Sequence, residues 1–455
     1  MQRNLAAQLN EQEYAKSFAD IKPPLSLDAA LAEANRCLYC YDAPCITACP
    51  TAIDIPTFIK KIATENFKGS ARVILESNIM GGTCARVCPV DILCEGACVY
   101  NGIPEAKPID IGRLQRFATD WAFDRELQLF ERQPENGKKV AIVGAGPSGL
   151  SCAHRLAMLG YAVTVFEGKE NAGGLNLYGL AAYKVDNEFV GREVEYITAI
   201  GGIEIKYGQW IGKDITISQL LADYDAVFMG MGLGVTPKLN IPGEDLEGVH
   251  DAIEFIEALR RDPFSVPIGK TVAVVGAGNT AIDAATQAKR LGAEKVYVIY
   301  RRTRNEMPAN DYEYGLALDD ACEFLWQTHP VRVLGDGFVT GLECVKMALG
   351  EPDASGRRSP SVVPGSEFLL PVDMVVKSLG QKPFESLLQD VPGLETKWGR
   401  VVIDPESFAT SVPKLYAGGD CINGGKETVN AVADGRQAAL GIHKMIFAHQ
   451  ETAEV

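Results

Sequence analysis

No apolar run in this chain approaches the about 20 residues a membrane-spanning helix requires, and its opening, MQRNLAAQLNEQEYAK, lacks the apolar core of a secretory leader. Neither a membrane protein nor an exported one is expected, and the cytoplasm is the expected compartment. Positive charge is scarce too. With 44 Lys and Arg against 59 Asp and Glu, the net charge is −15, so a nucleic-acid or anionic-membrane surface would sit in a repulsive field and neither partner is expected. Beyond residue 138 no two cysteines lie close in sequence. Cys152, Cys322, Cys344 and Cys421 each stand alone, which leaves disulfide exchange without a dithiol.

What is present is a crowd of cysteines at one end. Of 12 in a chain of 455 residues, eight fall between residues 37 and 98. In a reducing compartment such a set reads as metal or redox chemistry rather than as disulfides. The hydrophobic share of 47% is ample for real cores, and at about 150 residues per domain the length suggests about three. Short helical stretches at 55–64 and 71–77 separate the cysteine runs, and a helical pattern over 111–129 precedes a polar linker at 131–139.

The cysteines read Cys37-x2-Cys40-x4-Cys45-x3-Cys49-Pro50 and Cys84-x3-Cys88-Pro89-x4-Cys94-x3-Cys98. Each run resembles an iron–sulfur ligation sequence. Closely spaced thiolates supply several ligands of a cubane, a remote one completes it, and the proline turns the chain away. The competing reading is a pair of structural zinc sites, although the second run lacks the facing Cys-x2-Cys pairs that zinc sites favour.

From residue 139 the grammar changes to strand, turn, helix, strand, and it occurs twice. Gly144-Ala145-Gly146-Pro147-Ser148-Gly149 follows a strand and opens a helix, and Glu167 ends the next strand. Gly144 permits the tight turn, Gly146 lets backbone approach a pyrophosphate, Gly149 allows close helix packing, and Glu167 can accept from a ribose hydroxyl. The second copy, Gly276-Ala277-Gly278-Asn279-Thr280-Ala281, has alanine as its third small residue, and its strand runs into Arg301, Arg302 and Arg304. An arginine there cannot accept from a ribose diol but can pair with a 2′-phosphate, which favours NADP(H). The alternative is a solvated basic loop. Near the end, Gly418-Gly419-Asp420 precedes a helical stretch at 427–439, and Asp420 is a candidate for a flavin ribityl hydroxyl.

Together with VAIVGAGPSGL (140–150), FEGKENAGGL (166–175), VVGAGNTAIDAA (274–285), YRR…EMP (300–308) and AGGDCINGGKETVNAVADGRQAA (417–439), these features identify a resemblance running nearly end to end. The chain resembles the family of the glutamate synthase small subunit and, more closely, the electron-input half of dihydropyrimidine dehydrogenase. The resemblance implies FAD held by Gly144, Gly146, Gly149, Glu167, Gly174, Leu175, Asp420 and Thr428. It implies NAD(P)H at Gly276, Gly278, Asn279, Thr280, Arg301 and Arg302. It also implies two [4Fe-4S] clusters, one on Cys37, Cys40, Cys45 and Gln115, the other on Cys49, Cys88, Cys94 and Cys98, with Cys84 left over. Gln115 fits the pyrimidine enzyme, since the glutamate synthase pattern has glutamate there; its plainer reading is a helix-surface residue. Leu180-Ala181-Ala182-Tyr183-Lys184 departs from the pattern, where many relatives carry a proline and an arginine.

The expected architecture is α/β, with two Rossmann-like nucleotide-binding domains, the second inserted in the first, preceded by a small α-helical domain with two iron–sulfur clusters. The expected boundaries are 1–137 for the cluster domain, 138–244 and 381–455 for the FAD domain, and 245–380 for the NAD(P) domain. No length remains for a substrate-reducing barrel. The expectation is a hetero-oligomer in which electrons pass from NAD(P)H through FAD and the clusters to a separate catalytic subunit, an FMN-containing barrel that reduces uracil or thymine. The alternative is the small subunit of glutamate synthase, supplying NADPH electrons for glutamate formation. No catalytic residue is assigned.

Overall fold

The computed structural model describes residues 3–352 and 358–451. The chain forms two compact units, one of residues 22–177, 184–234 and 382 onward, the other of residues 1–21, 178–183 and 235–381. In the first unit the cysteines sit among the helices Leu27–Arg36, Ile55–Ala63, Phe67–Ser77, Gly81–Val87 and Ile111–Phe123. Ile55, Phe58, Ile59 and Ile62 recur at helical spacing and are all buried, alongside Ile74, Leu114 and Ala118. Side-chain caps set the helix starts: Ser26 accepts from the Ala29 N–H, Asp54 from that of Thr57, and Asn66 from that of Gly69. The helix expected over 111–129 ends at Phe123, because Glu126 takes φ +52° and the Leu127 N–H turns back to the Ala122 carbonyl.

The same unit holds a five-stranded parallel sheet in the order Leu415–Ala417, Ala226–Met229, Lys139–Val143, Ala162–Phe166, Ile203–Lys206. Strands are added on one side of Lys139–Val143 and then on the other. That reversal opens a crevice at its carboxyl end, where such sheets bind ligands. The helix Pro147–Met158 starts there, with Pro147 preset for its first turn.

The second unit has its own parallel sheet, in the order Val249–Asp251, Met374–Lys377, Thr271–Val275, Lys295–Tyr300, Glu323–Trp326. An antiparallel layer is built on the long strand Val339–Pro352 and pairs with Thr328–Gly335, Arg358–Val362 and Phe368–Leu370. Residues 1–21 group here rather than with the cysteine helices. The Ala6 N–H donates to the Ile268 carbonyl at 2.8 Å, the Lys270 N–H donates to the Asn4 carbonyl at 3.1 Å, and Arg290 donates to the Ser17 carbonyl at 3.2 Å. Tyr178–Tyr183 joins this unit as well, with the Tyr183 hydroxyl 2.7 Å from that of Thr286. No helix among the described residues is long and apolar enough to cross a membrane.

Candidate cofactor and cluster sites

The crevice of the first sheet is assembled from close backbone approaches. Gly144 has φ +94°, and a Cβ there would lie 2.6 Å from the Gly230 carbonyl oxygen; on Gly149 it would lie 1.9 Å from that of Gly144. Only glycine fits at either place. Gly174, at φ +54°, sits so close to Gly146 that a Cβ would come within 2.7 Å of the Gly146 Cα, and the Gly173 N–H donates to the Ala145 carbonyl at 2.8 Å. Glu167 accepts from the N–H groups of Ala145 and Lys169, each at 2.8 Å, so its carboxylate is held against the glycine turn.

The Gly419 turn meets the same helix start. A Cβ on Gly419 would be 3.0 Å from the Ser148 Cβ, which brings Asp420 to this end of the crevice, where burial pushes its carboxyl upward. Thr428 donates to Asn176 at 3.0 Å, next to the partly exposed Leu175. The residues expected to hold FAD are therefore gathered around one helix N-terminus. The Ser148 hydroxyl is buried there without a protein partner, as an anion-binding helix start requires. Neither solitary thiol in this fold is primed for chemistry. Burial raises both, Cys421 to about 12, and the Cys421 thiol donates to the carbonyls of Met229 and Gly418.

In the second unit Gly276 has φ +130°, and a Cβ would lie 2.0 Å from the Ser378 carbonyl oxygen, while around Gly278 a Cβ would meet nothing within 4 Å. That open cradle caps the helix Asn279–Arg290, in which Thr280 occupies the first turn and the Asn279 Oδ1 is buried without a partner. The turn fits a bound pyrophosphate. The structure separates the two arginines expected for a 2′-phosphate. Arg302 is buried and donates through Nε to the Arg358 carbonyl at 3.0 Å, whereas Arg301 is exposed and makes no hydrogen bond or ion pair among the described residues. Arg304 is spent on Asp311 and on the ring of Tyr314.

The cysteines ring two cavities. One is lined by Cys37, Cys40, Cys45 and Cys98, the other by Cys49, Cys84, Cys88, Cys94 and Gln115. Among the described residues no three His, Cys, Asp or Glu side chains converge on the point a single metal ion would occupy. Thiols spaced around a cavity suit a polynuclear cluster better than a lone tetrahedral ion. The cavity linings differ from the grouping the resemblance implied: Cys98 lines the cavity of Cys37, Cys40 and Cys45, and Gln115 that of Cys49, Cys88 and Cys94. Tyr100 donates to the Arg36 carbonyl at 2.7 Å and Arg36 to the Lys107 carbonyl at 2.6 Å, which ties the chain after Cys98 to the helix delivering Cys37. Gln115 is buried, not a surface residue. Its amide nitrogen donates to the Gly81 carbonyl at 2.7 Å, at the start of the helix carrying Cys84. Cys84, left over by the resemblance, lines the second cavity beside Cys49, Cys88 and Cys94. Burial raises Cys45 to about 11, and Cys88 is raised first by its hydrogen bond with Cys84, so metal binding at these thiols must displace protons.

Two further lining residues are not ligand types that the cysteine spacing points to. Asn78, six residues before Cys84, and Val429, in the 417–439 segment, also line the second cavity. Val429 matters because it follows Thr428, so the helix that starts at the flavin crevice also walls a cluster cavity.

Comparison with known proteins agrees with this layout. Residues 14–127 match the family described as dihydropyrimidine dehydrogenase domain II, 4Fe-4S cluster, and residues 138–435 match that described as pyridine nucleotide-disulphide oxidoreductase. Over 443 residues the chain is 37% identical to the glutamate synthase [NADPH] small chain of Escherichia coli K12, covering 93% of each. It is 38% identical over 430 residues to the NADP(+)-dependent formate dehydrogenase subunit beta of Moorella thermoacetica, covering 89% of this chain and 60% of that one. Its fold is like that of Mycobacterium tuberculosis FprA in complex with NADPH, with a TM-score of 0.59 at 20% identity over 71% of this chain and 86% of the other.

Proposed function

Because the chain belongs to the pyridine nucleotide-disulphide oxidoreductase family, together with the glutamate synthase small chain, we propose that it is the electron-input subunit of a two-component oxidoreductase. Its cofactors are FAD, NADPH and [4Fe-4S] clusters. Bound FAD would supply hydride acceptance from the nicotinamide, and bound clusters would supply the one-electron transfers that follow. The observation that carries the reading is the shared wall: Thr428 faces the flavin crevice and Val429 lines the cavity of Cys49, Cys88, Cys94 and Gln115.

The chain's own residues supply position and electrostatics. Gly146, Gly174 and the first turn at Ser148 hold the FAD pyrophosphate, Glu167 its ribose and Asp420 its ribityl chain. Gly278, Asn279 and Thr280 hold the NADPH pyrophosphate, and Arg301 its 2′-phosphate. Cys49, Cys88, Cys94 and Gln115 ligate the cluster nearer the flavin, and Cys37, Cys40, Cys45 and Cys98 ligate the other. Leu38 and Val99 line that other cavity and are exposed, which makes it the exit to the partner.

For the partner, end-to-end likeness to the glutamate synthase small chain supports a glutamate-forming subunit, and it does so better than anything here supports pyrimidine reduction. The pyrimidine reading stays as a second proposal on one observation. Gln115, the residue that set that family apart, lines a cluster cavity. Anaerobic purification from the native source tests both. A brown protein bleached by NADPH supports the relay and a colourless one removes it; a copurifying amidotransferase supports glutamate formation, and an FMN-containing barrel supports pyrimidine reduction.

A further inference from the structure

Asn78 is the C-cap of the helix Phe67–Ser77 and is wholly buried. Its Oδ1 accepts from the Met80 N–H at 3.1 Å, which orients the amide so that the nitrogen turns the other way. That nitrogen, Nδ2, is buried without a hydrogen-bond partner, and Asn78 lines the cavity of Cys49, Cys88, Cys94 and Gln115. A buried N–H donor with no acceptor is costly, so such a donor on the wall of a thiol-lined cavity needs an acceptor there.

The turn that places Asn78 also places Gln115. The Asn78 carbonyl accepts from the Gly81 N–H at 2.9 Å, and the Gly81 carbonyl accepts from the Gln115 amide nitrogen at 2.7 Å. With its nitrogen committed, Gln115 leaves Oε1 as its free end, and among the described residues no donor meets that oxygen. One short turn thus presents an oxygen and an N–H donor to one cavity. The oxygen suits iron and the donor suits sulfur.

We propose that Asn78 is a tuning residue for the cluster in this cavity, donating its Nδ2 hydrogens to a cysteine thiolate or bridging sulfide. The inference rests on the cluster reading given above. Hydrogen bonds to the sulfurs stabilise the more negative, reduced cluster and raise its potential. The bond biases the cluster nearer the flavin toward accepting an electron.

The test is an EPR-monitored potentiometric titration of anaerobically purified holoprotein, with iron and sulfide assayed on every sample. Asn78→Asp keeps the acceptor for the Met80 N–H and replaces the donor with an oxygen; Asn78→Ala removes both. Each should lower the potential of one cluster by about tenfold in its reduced-to-oxidised ratio at fixed potential, about 59 mV for one electron. The shift should be larger for Asn78→Asp, and the cluster on Cys37, Cys40, Cys45 and Cys98 should not move. Two clusters with unshifted potentials would overturn the role of Asn78 while leaving the clusters standing. Wild-type protein without iron and sulfide would instead overturn the cluster reading. Should a variant fail to assemble, pulsed EPR of wild-type holoprotein carrying 15N-labelled asparagine reads the contact directly. A 15N coupling at the cluster beside Gln115 supports the bond, and its absence refutes it.

Discussion

Thr83 donates both its backbone N–H, at 3.0 Å, and its hydroxyl to the buried carboxylate of Glu193. The pair ties the helix that carries Cys84 to the helix Asn187–Thr198 of the flavin fold, and Arg86 covers the ring of Phe189 beside it. Burial raises the Glu193 carboxyl to about 7, opposed by the bonds from Thr83 and by Arg86. The native state therefore holds a proton there that the unfolded chain has lost. Between pH about 4.5 and about 7 the contribution of Glu193 to stability should fall as pH rises, by up to about 3 kcal/mol in all. Glu193→Gln should abolish that slope. Parallel slopes for the two proteins in urea unfolding across this range would refute the argument.

The cavity grouping predicts which variants share a phenotype. Cys98→Ala should remove the same EPR signal as Cys37→Ala, and Gln115→Ala should alter the same one as Cys49→Ala. The opposite pairing would return Cys98 to the other cluster.

Two glycines should respond differently to a single methyl group. At Gly149 a Cβ would strike the Gly144 carbonyl, so Gly149→Ala should displace the glycine turn, and the protein should purify with little FAD. At Gly278 the φ is −85° and the space is open, so Gly278→Ala should fold and hold FAD normally yet bind NADPH at least about tenfold more weakly. Flavin content and equilibrium dialysis separate the two outcomes.

Arg301 is the free arginine at the strand end. Arg301→Ala should raise KM for NADPH about tenfold or more, the worth of a charge-assisted hydrogen bond, and leave the value for NADH unchanged. An equal loss for both nucleotides would show that it contacts something other than the 2′-phosphate.

Leu38 and Tyr41 flank Cys40 and are 56% and 99% exposed. Leu38→Glu and Tyr41→Glu should leave flavin reduction by NADPH intact while slowing reduction of the native partner by at least about tenfold. Unchanged partner turnover would move the exit elsewhere.

Local features of the fold were legible because each has a local cause. The strands at 139–143 and 271–275 are continuous apolar runs, the glycine turns need backbone angles or approaches that other residues refuse, and the helix Ile55–Ala63 follows its apolar spacing. The antiparallel layer on Val339–Pro352 escaped notice because no motif marks it. Nothing local marks the place of residues 3–21 either, because the partners of Asn4 and Ala6, at Lys270 and Ile268, lie more than 260 positions downstream.

The sequence by itself determined the chemistry: which residue types can hold nucleotides and clusters, and that the chain needs them together. A thiolate, a glycine turn or an arginine carries its capability wherever it is placed. Only the tertiary structure decided the groupings. Cys98 joins Cys37 because Arg36, Tyr100 and Lys107 are bonded together, Gln115 reaches the second cavity because Gly81 holds its amide, and Arg301 rather than Arg302 is left free because the Arg358 carbonyl takes the other. Each choice is made by a contact between residues far apart in the chain, and spacing along a sequence carries no record of such contacts.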